Sequence, residues 1–172
     1  MASGWQPDFE QLVDQHQFMV FSLALRITGD SGLAEEIAQD VFLEMDRHLH
    51  TLESPAHALF WLRRVAVSRS TDALRRRRVR RTGDWVEISD HHHVTCEDSA
   101  SPLGTRIEQL LATLPETQRA AVVLRYQEDM TPEEIAAALN APLATVKSHL
   151  QRGLKLLRAK AHHHLREYIR EA

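Results

Sequence analysis

The chain predicts an all-α protein: two small helical bundles joined by a flexible linker. Three observations carry that expectation. Apolar residues recur at helical spacing along most of the 172 residues. Ala, Leu, Arg and Glu dominate while only 6 glycines occur, a balance that favours helix. One stretch rich in Asp, Ser and His interrupts the pattern, which sets the expected boundaries at residues 1–81, a linker over 82–102, and 103–172.

From Pro7 to Ile27 the residues Phe9, Leu12, Val13, Phe18, Val20, Phe21, Leu23, Leu25 and Ile27 mark a first helix. Thr28-Gly-Asp-Ser-Gly32 is a turn in which Asp30 or Ser31 suits an N-cap. A second helix, from Leu33 to about Leu49, puts Ile37, Val41 and Met45 on one stripe. Leu52-Glu-Ser-Pro55 is a loop, with Ser54 placed to cap a third helix from Ala56 to about Arg80. There Leu59, Leu62, Val65, Ala66 and Ala73 share one side, Trp61 is expected in the core, and Phe60 sits at the edge of the polar side. Arg64, Ser68, Thr71 and Arg75 line that other side at spacings of four, three and four. The helix ends with six arginines in the seven positions 75–81, which repel one another unless a polyanion screens them.

Thr82 to Gly104 reads as mostly irregular, although Trp85, Val86 and Ile88 offer docking residues. Beyond it helices fit at about 103–113, 116–127, 132–139 and 143–160, with Leu114-Pro115 breaking the first two. The tail from His162 to Ala172 continues or frays the last helix.

The net charge of -3 conceals segregation. Residues 1–60 carry 10 acids against 2 arginines, 61–82 carry 9 arginines against one Asp, and 83–104 carry five acids with no Lys or Arg. A phosphate backbone responds to the local field, so near-neutrality of the whole argues nothing against nucleic acid.

Several classes are disfavoured. No apolar run approaches the roughly 20 residues of a membrane span. The start Met-Ala-Ser-Gly-Trp-Gln lacks the basic and apolar parts of a signal peptide, and the single Cys96 fits a reducing cytoplasm. No phosphate-binding glycine loop or nucleophile–base pairing is legible, so no enzyme and no cofactor are expected. His91-His-His93 near Cys96, and His162-His-His164, lack the spacing of a zinc site; solvated polar residues are expected, and no metal.

The most informative segment is Thr131 to Leu150. A short apolar helix, Thr131-Pro-Glu-Glu-Ile-Ala-Ala-Ala138, breaks at Asn140 and Pro142, Asn140 being tolerant of a left-handed backbone. In the helix that follows, Val146, Leu150, Gly153, Leu154 and Leu157 cluster on one face. Ala144, Thr145, Ser148, Gln151, Arg152 and Lys155 oppose them, flanked by Lys147 and His149. Two helices on a tight turn, the second offering hydroxyls, an amide and cations, fit the major groove of DNA. A plain helical hairpin with a solvated basic face would share some of these features but not their coincidence.

Leu33-Ala-Glu-Glu-Ile-Ala-Gln-Asp-Val-Phe-Leu43, Trp61-Leu-Arg-Arg-Val-Ala and Asp72-Ala-Leu-Arg-Arg-Arg77 resemble conserved region 2 of the extracytoplasmic-function (ECF) bacterial sigma factors. Leu114-Pro-Glu-Thr-Gln-Arg119, Glu133-Glu-Ile-Ala136 and Thr145-Val-Lys-Ser148 resemble their region 4. The resemblance spans nearly the whole chain in the right order. It implies a subunit that binds core RNA polymerase at the β′ clamp and β flap, reads promoter DNA, and is held by an anti-sigma factor. Glu36, Gln39 and Asp40 would meet the clamp; Arg64, Ser68, Thr71, Arg75 and Arg76 would face the −10 element. The Leu49–Pro55 loop would hold an unstacked base, and the acidic linker would thread toward the RNA exit channel. Thr145, Lys147, Ser148, Gln151, Arg152 and Lys155 would read the −35 element. Departures are Ser68 for a usual Asn, Asp46 for a usual aromatic, Glu36 for Asp, Ala144 for Gly, Gly153 for Ala, and Gln151 where bulky residues vary. Two rivals stand beside this reading. A sigma-like decoy that sequesters an anti-sigma factor would not need the DNA-facing cations, and a free-standing helix-turn-helix regulator would not need the acidic helix.

Overall fold

The computed structural model describes residues 5–83 and 102–171, which form seven α-helices and one 3-10 turn with no strand among them. The chain divides into two units, Met1–Val94 and Thr95–Ala172. Helix α3 runs through Gly83 and α4 starts at Pro102, so the rest of the expected linker, with His91–His93 and Cys96, lies outside the described residues.

In the first unit α1 (Phe9–Thr28), α2 (Ser31–His48) and α3 (Pro55–Gly83) pack pairwise around one core, and Leu49–Thr51 makes the 3-10 turn. Each junction is set by local chemistry. Asp8 caps α1, and Gly29, at φ 70°, closes it by donating its N–H to Leu25 O at 2.7 Å. Of the two candidate caps for α2 it is Asp30 that acts, its carboxylate accepting the Leu33 N–H at 2.9 Å, while Ser31 is the first helical residue. Ser54 Oγ accepts the His57 N–H at 3.1 Å, and Pro55 opens α3 where its missing N–H costs nothing. Val20, Leu23 and Ile27 of α1, Ile37, Val41 and Met45 of α2, and Leu62, Ala66 and Val67 of α3 are buried together. Each large aliphatic side chain there contributes roughly 1.5–3 kcal/mol.

Helix α3 is rolled relative to the expectation. Leu62 and Ala66 are buried, but Leu59, Val65 and Ala73 are half-buried, and Ala58, Val67 and Ser70 complete its inner face. Trp61, expected in the core, is half-buried instead and stacks at a tilt on His48, with ring centroids 5.8 Å apart. Three of the inner positions, Ala58, Ala66 and Ser70, are small. Ser70 satisfies its own hydroxyl by donating to Ala66 O at 2.7 Å. Phe18 fits the period of α1 yet is exposed.

In the second unit α4 (Pro102–Ala112), α5 (Glu116–Tyr126) and α6 (Pro132–Leu139) pack on α7 (Leu143–Glu171), which continues well past residue 160. The core joins Leu111, Leu114, Val122, Leu124, Met130, Ile135 and Val146. Thr131 and Glu134 form a reciprocal capping box at the start of α6, with N–H to oxygen distances of 3.2 and 2.7 Å. Asn140 ends it in the left-handed conformation, φ 48° and ψ 48°, and turns the chain into α7. Gly153 lies where α7 presses on α5: a Cβ there would stand 2.9 Å from Val122 Cγ2.

Candidate nucleic-acid interface

Along the outer side of α3 runs an open groove of about 410 Å³, lined by Trp61, Arg64, Val65, Ser68, Arg69, Asp72 and Arg76, with Glu44 of α2 as its far wall. Three of the five residues expected to face a −10 element, Arg64, Ser68 and Arg76, line it; Thr71 and Arg75 do not. Thr71 spends its hydroxyl hydrogen on Val67 O at 2.9 Å, and Arg75 pairs with Asp72 at 3.3 Å, both exposed, a contact of little energetic weight. Arg64 and Ser68 face solvent. Aromatic, cationic and hydroxyl groups in one groove suit a nucleotide better than an apolar ligand.

The groove wall is tied to α2 by Arg69. Its Nε donates to Glu44 Oε2 at 3.1 Å, its Nη2 donates to the same oxygen, and its Nη1 donates to Asp40 Oδ2 at 3.3 Å. The Glu44 hydrogen bond outweighs burial and, with Coulombic support from Glu44, Asp40 and Asp72, raises the guanidinium's proton affinity further. Farther along α3, Arg77 Nη2 donates to Asp30 Oδ2 at 2.8 Å. Burial alone would raise the Asp30 carboxyl. The Leu33 N–H, the Arg77 contact and the Gly32 N–H together hold it below the ordinary carboxylate range.

On α2, Glu36, Gln39 and Asp40 are all exposed. Leu43, at the next turn of the Glu36–Asp40 face, is 58% exposed, an apolar residue in an acidic surface that periodicity did not single out.

On α7 the expected two-faced helix is present. Val146 and Gly153 are buried, and Leu150, Leu154 and Leu157 are half-buried. Lys147, Gln151, Arg152 and Lys155 are exposed, while Thr145 and Ser148 are half-buried near the helix start. The capping box and the Asn140 turn fix the entry of this helix against Ile135 and Ala138. Its polar side chains therefore project from a braced element.

Two arginines hold that brace in ways the sequence did not disclose. Arg119, nearly buried, donates through Nη2 to Ala112 O at 2.7 Å and Leu114 O at 3.1 Å, closing the end of α4 onto α5. Burial lowers its pKa, and Glu116 partly opposes this. Arg125 Nη1 donates to Met130 O at 2.9 Å across the loop before α6.

Residues 12–80 match the family model for Sigma-70 region 2, and residues 105–157 match Sigma-70, region 4. The ECF RNA polymerase sigma factor SigK of Mycolicibacterium vanbaalenii is 31% identical over 156 residues, covering 87% of this chain and 80% of that protein. The chain belongs to the ECF RNA polymerase sigma factors. Among other ECF sigma factors, SigE of Mycolicibacterium smegmatis is 35% identical over 159 residues, 88% of this chain; the chain spans 61% of that relative's length. SigW of Bacillus subtilis is 27% identical over 171 residues, covering 92% of this chain and 91% of SigW. The fold is shared with the sigma factor RpoE of Bartonella quintana, solved with the anti-sigma factor NepR, at TM-score 0.74 and 21% identity, covering 88% of this chain and 95% of RpoE. It is also shared with CnrH, solved with the cytosolic domain of CnrY, at TM-score 0.64 and 23% identity, covering 93% and 91%. Among the described residues no helix of this sigma factor is long and apolar enough to cross a membrane.

Proposed function

We propose that this sigma factor is a dissociable initiation subunit, acting in the cytoplasm, that binds core RNA polymerase and directs it to a restricted set of promoters. The observation that supports this most is the exposure of DNA-compatible side chains on both units: Arg64, Ser68 and Arg76 in the α3 groove, and Lys147, Gln151, Arg152 and Lys155 on α7. In this reading residues 1–81 carry polymerase binding and −10 recognition, 82–102 serve as an acidic linker, and 103–172 read the −35 element. Glu36, Gln39 and Asp40 would meet cations of the β′ clamp, with Leu43 adding apolar area at the centre of that contact. Arg64, Ser68, Thr71, Arg75 and Arg76 would face the −10 element. Thr145 and Ser148 would take phosphate oxygens near the start of α7, while Lys147, Gln151, Arg152 and Lys155 address base edges and backbone of the −35 element. An anti-sigma factor would occupy these surfaces when the subunit is idle. The subunit is given no chemistry of its own; bond formation belongs to the polymerase.

The test is run-off transcription of a genomic library with core polymerase and the purified chain. Discrete start sites that depend on the chain are expected. Tight binding to core polymerase with no promoter-dependent transcript would instead identify a decoy.

A further inference from the structure

We propose that Arg69 serves the α3 groove as a stacking surface for an unpaired nucleobase, and not as a phosphate contact. The inference rests on the function proposed above and deepens it. All three nitrogens of the Arg69 guanidinium are already engaged by α2: Nε and Nη2 on Glu44, and Nη1 on Asp40. A guanidinium is planar, so using its edges leaves its flat face to be offered. The side chain is 39% exposed and lines the groove. Trp61, Val65 and Arg69 follow one another at intervals of four along α3, roughly 6 Å apart, as a row of indole, isopropyl and guanidinium surfaces.

Charge argues the same way. Glu44 and Asp40 lie within ion-pair distance, and Asp72 acts on the same guanidinium, so carboxylates outnumber the cation at this spot. A phosphate gains little there. A base, whose face is uncharged, meets no such repulsion and can lie on the guanidinium plane. Phosphates are left to Arg64 and Arg76, which stand in the same groove without a carboxylate clamp. The ligand is therefore one unpaired nucleotide of single-stranded DNA, with its base toward α2 and its backbone toward solvent.

The experiment uses the holoenzyme, this chain on core polymerase. Its probe is a fluorescent single-stranded oligonucleotide carrying the non-template −10 region of a promoter recovered by run-off transcription. Arg69→Lys keeps the ion pair with Glu44 but lacks a plane, and is expected to bind about tenfold more weakly. The salt dependence of its binding should match wild type, and an abasic site at one position of the probe should erase the difference. Arg69→Tyr, planar and uncharged, should recover most of the binding. Wild-type affinity in Arg69→Lys, a loss that no abasic position removes, or a salt slope lower by about one in Arg69→Tyr would overturn the assignment. If wild-type holoenzyme bound no promoter probe, the initiation-subunit reading would fall with it, whereas a normal Arg69→Lys complex faults Arg69 alone.

Discussion

Arg119 shows how one side chain closes two helices. Its guanidinium serves the carbonyl of Ala112, the last residue of α4, and that of Leu114 in the turn before α5. Arg119→Met keeps the apolar stem and removes the donors. It should cost about 2–3 kcal/mol, read as a lower urea midpoint with unchanged slope. A shift near zero would mean that water serves those carbonyls equally well. Asp30 is the residue that should answer to pH. Its folded pKa is depressed, so its contribution is present above the unfolded value near pH ~4 and is lost as pH falls through the lower folded value. The melting temperature should therefore drop on acidification below about pH 4. Asp30→Asn, which can still cap α2, should flatten that part of the acid limb. An identical acid profile in the variant would remove Asp30 from the explanation.

Helix α6 depends on its first residue more than its length suggests, because eight residues cannot hold a helix by propensity alone. Thr131→Ala should cost about 1 kcal/mol and speed hydrogen exchange at the Glu134 amide before the rest of the unit opens. Exchange that rises evenly across the unit would place the cap's role elsewhere. This element was legible beforehand: the Thr-Pro-Glu-Glu start, the apolar Ile135 and the Asn140 turn are local signals, and each lies within a few residues of its effect. The stripe Ile37, Val41 and Met45 was legible for the same reason, since α2 buries one face with a regular period. Helix α3 was not. Its inner face depends on Ala58 and Ser70, which carry almost no hydrophobic signal, so the larger Trp61 and Val65 drew the expected face around the helix. Arg69 escaped notice because its partners lie 25 and 29 residues away in sequence, a distance no periodicity spans. Of the −10 set, a stripe of four was legible, but only the folded chain shows that Arg64 and Ser68 share a groove while Arg75 bends toward Asp72.

At the scale of the molecule, charge is separated by element. The acidic residues of α2 and the basic residues of α3 belong to one bundle, and Arg69 joins them. The basic face of α7 belongs to a bundle of its own. If Arg152 reads a base, Arg152→Ala should weaken promoter binding by roughly 1–3 kcal/mol and relax preference at one −35 position. Equal weakening on every sequence, with a shallower salt dependence, would make it a backbone contact. Gly153, next in the chain, gives this arrangement a hidden adjustment. Because a methyl group there would meet Val122 Cγ2 at 2.9 Å, Gly153→Ala obliges either that side chain or α7 to give way, like a shim under a bearing. The fit between α5 and α7 is thus set by one missing carbon at the back of the helix.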